Sequence, residues 1–131
     1  RLEAALGPEP TPRAVLERNI CRTISIHLHT LVNTAEFFHC REQFSATPVN
    51  LDRFQELLAE LDAILGREIA NAERALPILR DDPRIGYGFT YGEVYDAEMV
   101  EAKIRQCTFL KEKELPRVGS LIRFHVWLRY P

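Results

Sequence analysis

The chain has 131 residues, 46% hydrophobic and 27% charged, with 17 Lys and Arg against 19 Asp and Glu and a formal net charge of −2. That length supports one domain with a modest core, and that composition belongs to a folded chain rather than a disordered one. The near balance of charge excludes a basic nucleic-acid-binding field, and no apolar run is long enough to cross a membrane.

Residues 1–10 contain Gly7, Pro8 and Pro10 and read as a linker. The sequence opens on Arg1 without a signal-peptide pattern and stops on Tyr130 and Pro131 directly after an apolar run, so a C-terminal piece of a larger chain is the expectation. Thr11 followed by Pro12 is a helix start, a capping hydroxyl before a proline whose missing N–H costs nothing in the first turn. A first helix is predicted over 11–44. Leu16, Ile20, Ile24, Leu28, Leu31, Ala35 and Phe38 form its main apolar stripe, and Ile26, Phe37, Cys40 and Phe44 lie off that stripe. Two apolar faces imply packing on two neighbours. The Ile- and Thr-rich stretch from Thr23 to Ile26 is a weak helix former, where a break is allowed.

Ser45 to Val49 is a turn, and Asn50 caps a second helix over 50–79. Leu51, Phe54, Leu57, Leu58, Leu61, Leu65, Ile69, Ala72 and Leu76 make its apolar stripe, with Leu57, Leu61 and Leu65 expected in the core. Pro77 kinks or ends it. A connector follows over 81–95, holding Gly86, Gly88 and Gly92 among Tyr87, Phe89, Tyr91 and Tyr95. Asp96 caps a third helix over 96–115, which Leu115-Pro116 is expected to end. In 121–129, Ile122, Phe124, Val126 and Leu128 alternate with polar or mixed residues, a period of two that favours a strand over a short helix. The predicted fold is mainly α: an up-down bundle of three long helices, an aromatic and glycine-rich connector, and a C-terminal strand or short helix.

Few residues carry a chemical signal. His27 and His29 are two apart and diverge on a helix, which gives no metal site. His39 and Cys40 are adjacent and diverge as well, so no thiol–imidazole pair forms locally. Cys21, Cys40 and Cys107 are odd in number and lack metal or disulfide spacing, so reduced core thiols are expected. Glu56, Glu60, Glu68 and Glu73, mixed with Arg67 and Arg74, read as a solvated helix face. No catalytic residue, metal ligand or cofactor is assigned. The connector is the remaining candidate. Tyr87, Tyr91 and Tyr95 offer flat rings for stacking on a sugar, with Asp81, Asp82 and Glu93 as hydroxyl-binding partners. The same aromatics would equally fasten a long connector over the bundle end.

The stretch from Arg67 to Cys107 resembles the helical C-terminal region of large bacterial glycoside-hydrolase-like proteins, relatives of the alpha-glucuronidases and neighbouring families. The shared elements are the helix end Ala72 to Leu76, the turn Asp82 to Gly86, the tyrosine-containing connector and the helix with Lys103-Ile104. The resemblance implies an accessory helical domain that supports a preceding sugar-cleaving barrel and lines its substrate entrance. It implies catalytic carboxylates outside this chain, and partners that are the catalytic domain of the same parent and carbohydrate. A helical interaction or homo-oligomerisation module with no ligand is the alternative reading.

Overall fold

The computed structural model describes residues 11–46, 50–82, 85 and 95–129, the side chains through 124. Among them the chain is helical, with no strand. Helix α1 is Pro12–Ala46, α2 is Leu51–Asp81, α3 is Ala97–Phe109, and α4 is Leu115–Arg129. A π-helical turn, Leu110–Glu114, joins α3 to α4.

The helix starts follow from short polar side chains. Thr11 Oγ1 accepts from the Ala14 amide at 3.3 Å, Asn50 Oδ1 from Arg53 at 3.0 Å, and Asp96 Oδ1 from Met99 at 2.8 Å. Each satisfies one of the free N–H groups of a first turn. α1 runs without a break through Thr23, whose hydroxyl donates to the Asn19 carbonyl at 2.9 Å and so stays inside the helix. α2 also runs on past Pro77 to Asp81. Asp82 closes it by donating its N–H to the Ile78 carbonyl at 3.0 Å.

α2 is the central element and packs antiparallel against α1 on one side and α3–α4 on the other. Pairings such as Cys40 with Leu57, Asn33 with Glu68, and Arg80 with Glu101 fix those directions. The core has two parts along α2. One holds Ile26, Ala72, Ala75, Ile78, Leu79 and Val100, with Ile85 and Tyr95 packed against it. The other holds Cys40, Leu57, Leu61 and Ile64, flanked by Phe37, Phe44 and Leu115. Leu57, Leu61 and Leu65 are buried, as the periodicity of α2 predicts.

Three expectations are corrected. First, the main apolar stripe of α1 faces outward: Ile20, Ile24, Leu28, Leu31 and Phe38 are exposed, Leu31 by 65%. The buried positions are Asn19, Thr23, Ile26, Asn33 and Cys40, the face with the polar residues. Second, Pro116 does not end the third helix. A proline cannot donate to the carbonyl four residues back and its ring pushes that carbonyl away. The π turn absorbs this: Leu115 donates to Leu110, five residues back, so the ladder is widened just before the proline. Third, residues 121–129 form the end of α4 rather than a strand. A lone strand would leave its backbone groups unpaired, and the helix satisfies them within the segment. Leu121 and Phe124 are both exposed, three residues apart on one helical side. Gly119 lets α4 approach α2 closely, since a Cβ there would lie 3.3 Å from Leu58 Cδ1.

Candidate functional site

Among the expected ligand-binding residues, Tyr87, Tyr91 and Glu93 lie outside the described residues, as does most of the connector. Asp81 is the exposed last residue of α2, and Asp82 is half-buried just past it. The Asp82 carbonyl accepts from the Ile85 amide at 3.1 Å. Tyr95 is half-buried, its ring 4.5 Å from that of His27 and tilted by 50°. Burial, and then the nearby charge of Glu68, push its phenol above the ordinary value. Tyr95 therefore packs inward at the base of the third helix, against the cluster that holds Ile78 and Leu79.

Among the described residues, the most organised polar group is one that apolar periodicity misses. Glu68 of α2 is 6% exposed, and its carboxylate is reached from α1 and α3. Thr30 donates to Oε1 at 2.8 Å and Asn33 Nδ2 to Oε2 at 2.6 Å, both from α1. Lys103 of α3 completes an ion pair with Oε1. Asn71 of α2 donates to the Ile26 carbonyl at 2.9 Å and to the Thr30 hydroxyl at 3.1 Å. Burial alone would raise the Glu68 carboxyl. The hydrogen bonds from Asn33, Lys103 and Thr30, with the Lys103 charge, outweigh it and hold the group below the ordinary carboxylate range. Glu68 is thus not part of a solvated face. The available signal was its place in the α2 stripe, three residues after Leu65 and four before Ala72, opposite Thr30 and Asn33 of α1.

This arrangement holds helices together rather than performing chemistry. A carboxylate whose oxygens already accept three donors is a poor general base. The nearest thiol, Cys107, lines a cavity of about 250 Å³ with Glu68 and Lys103, and burial pushes its pKa up, which disfavours the nucleophilic thiolate. Cys40 is likewise buried, within 3.4 Å of the Leu57 carbonyl, and burial followed by the charge of Glu60 raises it. Cys21 corrects the expectation of three core thiols, because it is exposed on α1. His29 Nδ1 donates to the Ser25 carbonyl at 2.6 Å, while His27 turns to Tyr95. No group of three His, Cys, Asp or Glu side chains able to hold a metal occurs among the described residues. No described helix is long and apolar enough to cross a membrane.

What remains is a surface. The outward face of α1 carries Ile20, Ile24, Leu28, Leu31, Ala35 and Phe38 at spacings of three and four, with Val32 at its margin. From residue 20 to residue 38 this stripe runs about 27 Å along the helix. A continuous apolar stripe of that kind on a surface marks an interaction site more often than a free face. No protein-family model matches the chain, and no curated protein or solved structure matches it either.

Proposed function

We propose that the protein is a helical oligomerisation module in which the outward face of α1 docks against the same face of a second copy. The observation that carries this reading is the inversion of α1: its main apolar stripe, Ile20, Ile24, Leu28, Leu31 and Phe38, faces out, while Asn19, Thr23 and Asn33 face in. Charge favours an antiparallel pairing. The N-terminal half of α1 carries Arg13, Arg18 and Arg22 against Glu17, and the C-terminal half carries Glu36 and Glu42 against Arg41. Antiparallel copies place unlike ends side by side and align opposed helix dipoles, whereas parallel copies bring like charges together. The spacing of the stripe suits knobs-into-holes packing, with the two-fold axis near Leu28. The exposed thiol of Cys21 then lies far from its counterpart.

A mixed sample of isotopically labelled and unlabelled chains tests the pairing by NMR. The expected result is methyl contacts between copies, from Leu28 to Leu28 or Leu31 and from Ile20 to Ala35 or Phe38. Contacts of Ile20 with Ile20 of the other copy, or ready oxidation to a Cys21 disulfide dimer, would contradict the antiparallel arrangement. The accessory role implied by the resemblance puts a catalytic domain over this same face instead. In that case the chain is a monomer with no contacts between copies, and addition of such a domain protects Leu28 and Leu31.

A further inference from the structure

A groove of about 440 Å³ runs between the first turns of α1 and the last turns of α2, on the flank of the bundle rather than on the outward stripe. Arg18, Asn19 and Arg22 line it from one helix and Arg74 from the other, over an apolar floor that includes Ile26 and Ile78. Most described basic side chains are already neutralised, as in Arg53 with Glu56, Arg67 with Glu36, Arg80 with Glu101, Lys103 with Glu68 and Lys111 with Asp62. Arg18 and Arg74 make no such pair among the described residues. Arg18 Nε is buried in addition and has no acceptor, which is a costly state for a donor. Asn19, nine-tenths buried, makes no side-chain hydrogen bond among the described residues. Donors from two helices therefore line one cleft without acceptors.

We infer that this groove binds a small organic oxyanion, best a phosphate monoester with a compact apolar body. The oxyanion lies between the guanidiniums of Arg18 and Arg74 and accepts from the Arg18 guanidinium and the Asn19 amide. Arginine suits this because its planar donors match phosphate and carboxylate oxygens in pairs. Arg22, which has a partner of its own, adds positive charge. Asp81 also lines the groove, at the end of α2, and repels the anion from that side. The apolar body consequently points toward Pro77 and Ile78, and inorganic phosphate, lacking that body, binds more weakly.

The test is an NMR titration of the arginine Nε–H and asparagine side-chain signals with phenyl phosphate, and separately with inorganic phosphate. It is run on the native chain and on a variant carrying Leu28→Glu and Leu31→Glu, so that association through α1 does not enter. The expected result is saturable shifts at Arg18 and Asn19 in both proteins, stronger for phenyl phosphate, with Arg117 unaffected. Arg74→Gln and Arg18→Gln should each weaken binding about tenfold, the loss of one charge-assisted hydrogen bond, with an unchanged urea midpoint. Equal shifts at Arg117, no shift at Arg18, or undiminished binding in folded Arg74→Gln would overturn the assignment. If a variant fails to fold, the native titration alone decides, through Arg18 against Arg117.

Discussion

Helices α1 and α2 have the same repeat of threes and fours, yet they use it in opposite ways. α2 buries its apolar positions, Leu57, Leu61, Ile64, Leu65, Ala72 and Ala75, and places Glu68 among them. α1 buries Asn19, Thr23 and Asn33 beside Ile26 and Cys40, and leaves Ile20, Ile24, Leu28, Leu31 and Phe38 outside. The difference teaches that apolar periodicity shows a helix has faces, without deciding which face goes in. In α1 the partner decides. A buried carboxylate must be hydrogen-bonded, and Thr30 and Asn33 can do this where leucine cannot. Having committed that face to Glu68, α1 has its apolar residues left for another surface.

The largest expected effect is in α2. Leu57 is fully buried against Cys40, and Leu57→Ala should cost about 4 kcal/mol of unfolding free energy, in the upper part of the range for buried leucines. A urea midpoint shift worth less than about 1 kcal/mol would mean that α2 is not the central element.

Next is the buried carboxylate. Glu68→Ala leaves Lys103 and Asn33 without their acceptor and should cost about 3 kcal/mol, the low end for breaking a buried pair because Lys103 is partly exposed. The pH dependence sharpens this. The folded carboxyl sits below its unfolded value, so its contribution is present above the ordinary carboxylate range. It is lost as pH falls from that range through the lower folded value, where the unfolded chain takes up the proton first. Glu68→Gln should be less stable at neutral pH and should lose stability less steeply on acidification than the native chain. Parallel acid curves for the two would show that Glu68 is not held by Thr30, Asn33 and Lys103.

Much of this architecture was legible in the sequence. Thr11, Asn50 and Asp96 announce helix starts because a short side chain before an apolar run has one geometric use there. The α2 stripe is long and unbroken, so its core leucines follow directly. The orientation of α1 was not legible, because it depends on a partner 38 residues away, Thr30 meeting Glu68. The end of the third helix departs from expectation for a local reason. Pro116 normally stops a helix, and only the wider turn Leu110–Glu114 lets the chain continue. The alternation in 121–129 was real but not decisive, since a segment of nine residues can match either period. The Arg18–Arg74 groove is also invisible locally, because its two sides are 56 positions apart in the chain.

A smaller effect is expected where α4 meets α2. Gly119→Ala gains helix propensity but presses a Cβ to 3.3 Å from Leu58 Cδ1, the yielding end of a side chain. The two should nearly cancel, leaving a net change under about 1 kcal/mol. A loss of several kcal/mol would mean that α4 and α2 cannot separate at all at that contact.

The smallest effect on folding, and the largest on assembly, belongs to the outward face of α1. At concentrations where the chain is dissociated, Leu31→Ala should change the urea midpoint by no more than about 0.5 kcal/mol, as for other surface positions. Sedimentation equilibrium across a concentration series tests the central claim most directly. The native chain should move from monomer to dimer as concentration rises. The variant with Leu28→Glu and Leu31→Glu should keep its helical content and stay monomeric. A native chain that remains monomeric throughout, or a folded variant that still dimerises, would contradict the docking of α1 on a second copy.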